Sequence, residues 1–138
     1  MEEFIKNLKA VRDEYLKNKV IINTNGIYPT RTDNLEPFTD ADIESTAQLM
    51  YNASRTIPWL VQKGKGKGGV NSYNLKQMIQ QSTQIYLTNG ELILVMLTMG
   101  YEISKLRNTR MNCNFKCSYA KSDAMNAISL PTPTTATP

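Results

Sequence analysis

Histidine is absent from this 138-residue sequence. Its absence removes the commonest general acid and base, the Ser-His and Cys-His nucleophile pairs, and every zinc site that needs imidazole. Cysteine is scarce: Cys113 and Cys117 are the only two, whereas a zinc site needs four ligands. In an extended segment this pair would stand about 13 Å apart, beyond the roughly 7 Å a disulfide tolerates. Both are therefore expected as buried free thiols, as suits a reducing compartment. Long apolar runs are missing too. The longest, Leu92 to Leu97, has helix-core length, far below the roughly 20 residues that span a bilayer. The start, Met1-Glu2-Glu3-Phe4-Ile5-Lys6, lacks the basic region and apolar stretch of a signal peptide. No membrane contact is expected, and the expected location is intracellular.

What is present is an ordinary globular balance, 41% hydrophobic and 20% charged residues, enough for one domain without disulfide or metal support. The domain is expected over residues 1–128. Residues 129–138, Pro/Thr-rich, read as a flexible tail too polar to pack. Charge is uneven. Residues 1–62 carry seven basic and nine acidic side chains, net −2, whereas 63–121 carry nine basic and two acidic, net +7. An excess of this kind points to an anionic partner, although a solvated surface can also produce it.

Phe4, Ile5, Leu8, Val11, Tyr15 and Leu16 recur at helical spacing and predict an amphipathic helix over 2–18. Residues 19–38 lose periodicity and collect Asn25-Gly26, Pro29 and Pro37. They read as a long connection with a short extended piece at Val20 to Ile22. Thr39 with Asp42 has capping-box spacing and opens a helix expected to end before Pro58. Trp59, in an apolar cluster, is expected to plug the core.

Lys63-Gly-Lys-Gly-Lys-Gly-Gly69 is a low-complexity loop. Ser72 is expected to cap a helix reaching about Ile85, with Leu75, Met78 and Ile79 facing inward and Tyr73 a further candidate. Thr88-Asn89-Gly90-Glu91 is a second capping box, opening a helix that Gly100 closes. After Gly100 the period becomes two. Met111, Cys113, Phe115, Cys117 and Tyr119 fall on one face of a strand, Tyr101 and Ile103 belong to its partner, and the turn is expected near Asn108-Thr109. A short helical turn is expected around Asp123 to Ile128. The fold class is α+β: about four helices around a central buried helix, 91–99, with a small C-terminal β-hairpin, in winged-helix-like order.

Helix, turn, helix and hairpin in a basic half evoke DNA binding. Yet the second helix is apolar around its whole circumference, so it is the core and not a groove reader. Nucleic-acid contacts are expected instead from Lys63, Lys65 and Lys67 of the loop, from the exposed side of the helix over 72–85, and from Lys105, Arg107, Arg110 and Lys116 of the hairpin. They would be mainly phosphate contacts, salt-sensitive and weakly sequence-specific. The loop is no Walker motif, since no Gly-Lys-Ser/Thr follows its glycines; it reads equally as an anion cradle and as a solvated linker. The acidic pairs Glu2-Glu3 and Asp40-Asp42 sit where helix starts explain them, and the methionines are spaced as core. No catalytic residue, metal ligand or cofactor is expected.

Asn71-Ser72-Tyr73-Asn74-Leu75-Lys76, Tyr86-Leu87-Thr88-Asn89-Gly90-Glu91, Met99-Gly100-Tyr101 and Asn112-Cys113-Asn114-Phe115 together resemble a pattern in small uncharacterised proteins of phages and DNA viruses, of the form SYxLKH, then (S/T)NG, then GY, then NCxFN. Gln77 stands at the histidine position of that pattern. The resemblance implies a viral or mobile-element origin, in host cytoplasm, nucleus or virion, and transfers no activity. The expected function is a non-enzymatic accessory protein that binds nucleic acid. The alternative is a protein-interaction module, a virion component or an inhibitor of a host factor, for which self-association through the first helix and the long connection is one route.

Overall fold

In the computed structural model, residues 1–29, 35–64 and 69–120 are described, with backbone alone at Pro29 and over 105–110. The expected tail and the turn at 123–128 lie outside them. The first helix, α1 (Glu2–Lys17), has Glu2 and Glu3 in its first turn and Lys17 in its last, matching the helix dipole. Leu8 is fully buried, and Phe4, Ile5, Val11 and Tyr15 pack against the core, while Leu16 turns outward.

The long connection expected over 19–38 contains a hairpin instead. Strands β1 (Val20–Asn23) and β2 (Gly26–Pro29) pair antiparallel around Thr24 and Asn25, with Asn23 opposite Gly26. Val20, Ile21 and Ile22 are buried in succession. A strand enclosed on both faces carries no alternation for sequence reading to detect.

The capping box at Thr39 is present: Asp42 N–H donates to Thr39 Oγ1 at 3.0 Å, and Thr39 N–H donates to Asp42 Oδ2 at 3.0 Å. It opens α2 (Asp40–Leu60), which runs through Pro58 instead of ending before it. So near the C-terminus the proline takes the donor only from the Ser54 carbonyl, and the buried Ile57 and Leu60 hold the last turn against the core. Their phase points Trp59 outward. It is 40% exposed, not the expected plug.

Strand β3 (Val61–Lys63) leads through the Gly/Lys loop to β4 (Val70–Asn71) and directly into α3 (Ser72–Thr83). Asn71, not Ser72, caps α3. Its Oδ1 accepts Tyr73 N–H at 2.9 Å and Asn74 N–H at 3.2 Å. The helix closes at Gln84, before Ile85. Leu75 and Ile79 point inward as expected and Met78 is partly buried, but Tyr73 is exposed.

The second box is present as well, with Glu91 N–H on Thr88 Oγ1 and Thr88 N–H on Glu91 Oε1. It starts α4 (Asn89–Thr98), in which Leu92 to Met96 have no exposed surface. Gly100 terminates it at φ +91°, with Tyr101 N–H on Met96 O and Gly100 N–H on Leu97 O, the paired bonds of a Schellman motif. Helix α4 is the centre of the molecule, packed by α1, α2, α3 and the β1–β2 hairpin.

The C-terminal hairpin is formed by β5 (Ile103–Arg110) and β6 (Asn112–Phe115). Its turn is not at Asn108-Thr109. Strand β5 continues to Arg110, and Met111, at φ +73°, reverses the chain. Nor is the second strand continuous: Lys116 separates β6 from β7 (Cys117–Tyr119), which pairs with β3. Cys113, Phe115 and Cys117 are buried as the period predicts, and both thiols are free. Met111 and Tyr119, at the two ends, are exposed. The result is an α+β fold of four helices and small antiparallel sheets. Among the described residues, no helix is long and apolar enough to cross a membrane.

Candidate nucleic-acid interface

The sheet order is β4-β6-β5, beside the two-stranded sheet β3-β7. Lys63 pairs with Cys117 and Val70 with Phe115. The chain between Lys63 and Val70 therefore leaves and returns opposite one residue, Lys116, and Gly64 N–H donates to Lys116 O at 3.4 Å. On the other edge of β6 runs β5, which carries Lys105, Arg107 and Arg110. Lys65 and Lys67 lie outside the described residues.

Lys63 and Lys116 can be examined atom by atom. Lys63 Nζ donates to Met99 O at 2.8 Å and lies 5.1 Å from the centre of the Tyr101 ring. It thus satisfies a carbonyl at the C-terminus of α4, a stabilising position for a cation. Lys116 Nζ is 3.4 Å from Glu102 Oε1, both side chains well exposed. The two lysines border a hollow of about 250 Å³ with Gly64, Gly100, Tyr101 and Glu102. Of the two acids in this basic half, Glu102 is so paired, and Glu91 is buried within its cap.

A second locus, of which sequence reasoning named only the exposed side of the helix over 72–85, lies where the starts of α3 and α4 meet β6 and the Thr24–Asn25 turn. At its floor, Ser72 Oγ donates to Asn89 Oδ1 at 2.9 Å and accepts Cys113 N–H at 3.1 Å. Asn89 Nδ2 lies within hydrogen-bonding distance of Asn25 O, Met111 O and Asn112 Oδ1, at 2.9 to 3.1 Å. Among the described residues every buried side-chain nitrogen and oxygen is partnered. The packing leaves no room for side chains at two glycines. A Cβ on Gly90 would fall 1.5 Å from Asn23 O, and one on Gly26 would fall 2.1 Å from Met111 O. Burial raises the Cys113 thiol to about 12 against a smaller opposing effect of Ser72, and burial raises Cys117 to about 11. Neither is a nucleophile near neutral pH.

Above this floor lies a hollow of about 340 Å³, bordered by Thr24, Asn25, Tyr73, Lys76, Met111 and Asn112. Tyr73 is 43% and Met111 45% exposed. Lys76 Nζ sits 5.0 Å from the Tyr73 ring centre, and Gln77 Nε2 donates to Tyr73 Oη at 2.9 Å. The signal was present in the sequence: the segments Asn71 to Lys76, Thr88 to Glu91 and Asn112 to Phe115, distant along the chain, all converge here. Among the described residues no group of three His, Cys, Asp or Glu side chains could hold a metal ion. No protein-family model matches the chain, and no curated protein or solved structure is detectably similar to it.

Proposed function

We propose that this protein is a non-enzymatic nucleic-acid-binding protein, a viral or phage accessory factor, that engages phosphates across the β4-β6-β5 sheet. One observation carries the reading. Strand pairing sets β5, with Lys105, Arg107 and Arg110, on one edge of β6 and β4, which follows the Gly/Lys segment in sequence, on the other, while of the two acids in this half the exposed one is paired with Lys116. Basic residues carried on a strand beside β6 suit contact with a phosphate backbone. In chain order α3, α4 and the β5–β6 hairpin follow the winged-helix sequence of elements. Because α4 is enclosed, the hairpin and loop are the elements that approach the ligand. Lys63 contributes chiefly by holding the end of α4.

Titration with duplex and single-stranded DNA at two salt concentrations tests this. Binding that falls steeply with salt is expected, with a shallower slope when Lys65, Lys67, Lys105, Arg107 and Arg110 are neutralised. Absence of binding at low salt rejects the reading and favours the protein-interaction alternative. That alternative draws support from the exposed Trp59 more than from α1, whose apolar stripe packs inward. Light scattering across concentrations tests self-association.

A further inference from the structure

We infer that the hollow between Tyr73 and Met111 receives an unpaired base of a single-stranded nucleic acid, with Tyr73 as the stacking platform. The inference rests on the proposed function and specifies its ligand.

Four observations lead there. First, the hollow of about 340 Å³ falls at the lower end of the roughly 300–1,000 Å³ typical of small-ligand sites, which suits one base better than a larger molecule. Second, its walls combine an exposed aromatic ring, an exposed thioether side chain and the polar side chains of Thr24, Asn25 and Asn112. A base needs a flat apolar contact for its face and hydrogen-bonding groups for its edge. Third, the platform is set in advance: Gln77 holds the Tyr73 hydroxyl, and the filled network around Asn89 fixes the backbone of Met111 and Asn25 below. Little ordering is then needed on binding. Fourth, charge is placed for the phosphates that flank such a base. Lys76 stands 5.0 Å from the ring centre, and Met111 is the turn that joins β5 to β6 directly after Arg110. The hollow thus opens at the tip of the basic hairpin. A duplex, its bases stacked inside, cannot fill it, and α4 offers no face to a major groove.

The experiment compares an oligothymidylate with a duplex carrying the same number of phosphates, using the full chain and three variants. Tyr73→Ala is expected to weaken oligothymidylate binding about tenfold, with its salt slope unchanged and duplex binding unaltered. Tyr73→Phe, which keeps the ring, is expected to retain most of the affinity. Neutralising Lys105 and Arg107 together should weaken both probes and flatten both salt slopes. Equal binding of both probes by wild type and Tyr73→Ala overturns the inference and leaves the proposed function standing. Failure of both probes to bind at low salt overturns both the inference and the proposed function. A photo-crosslink from a 5-iodouracil oligonucleotide to Tyr73 or Met111 supports the inference without any variant, and crosslinks confined to other residues overturn it.

Discussion

Ser72 and Tyr73 are neighbours in the first turn of α3, and they face opposite worlds. Ser72 has no exposed surface and both its hydrogen-bonding roles are filled, by Asn89 and by the Cys113 amide. Tyr73 is 43% exposed, with its hydroxyl accepting from Gln77 and its ring lying beside Lys76. The same contrast divides the whole locus into a floor of Ser72, Asn89, Gly90 and Cys113 and a rim of Tyr73, Lys76, Met111 and Asn25. A floor with every polar atom matched is rigid, because any movement leaves a buried group unpaired. A rim built on it can hold chemistry in place without contributing to stability.

Substitutions in the floor should therefore destabilise the protein, and those in the rim should not. The largest effect is expected at Gly90. A methyl there collides with the Asn23 carbonyl at 1.5 Å, and backbone, not a flexible side chain, must give way. Gly90→Ala should cost about 3 kcal/mol or more, read as a lowered urea midpoint. Asn89→Ala follows. It strips the carbonyls of Asn25 and Met111 of a donor and Ser72 of its acceptor, and about 2–3 kcal/mol of stability should go with them. A floor that tolerated either change would remove the distinction.

Ser72→Ala is the milder cut. It leaves the buried Cys113 amide without its acceptor, for a loss of about 1–2 kcal/mol in the same measurement. Alkali probes the same interior from another side, with a smaller effect near neutrality. Burial holds Cys113 at about 12 and Cys117 at about 11, against an ordinary value of 9.0. Folding thus favours the protonated thiols. Their contribution is complete below about pH 9 and is lost as pH climbs from there through 11 and 12, as the unfolded chain releases protons the folded one retains. Thermal unfolding followed from pH 8 to 10.5 should show a falling midpoint, flattened when Cys113 and Cys117 are both replaced by Ala.

Much of the frame was legible before any coordinates. The two capping boxes, the closing glycine, the all-apolar α4 and the buried Cys113-Phe115-Cys117 face depend on residues close in sequence, and local patterns record them. What escaped depends on distant partners. The β1–β2 hairpin has no alternation because both its faces are covered. Helix α2 passes Pro58 because Ile57 and Leu60 are anchored, and the same anchoring turns Trp59 out. The hairpin reverses at Met111, where Ile27 bonds it in both directions, N–H to O at 3.0 and 3.2 Å, a constraint written about eighty residues before Asn108-Thr109. The basic residues were legible as a set, and the placing of β5, with Lys105, Arg107 and Arg110, beside β6 was not, since pairing order is a property of the sheet. The hollow was hardest to see. Its residues looked like caps and turns, which they also are.

The smallest effect is the most telling. Tyr73→Ala removes a ring that is 43% exposed and whose polar partners, Gln77 and Lys76, belong to its own helix at spacings of four and three residues. Such pairs stabilise a helix by only about 0.2–0.5 kcal/mol each, and alanine's better helix propensity offsets part of that. The urea midpoint of Tyr73→Ala should accordingly stay within about 0.5 kcal/mol of wild type, next to a residue whose truncation costs several times more. A loss equal to that of Ser72→Ala would mean that Tyr73 belongs to the floor, and its exposure would then be a consequence of packing with no role in binding.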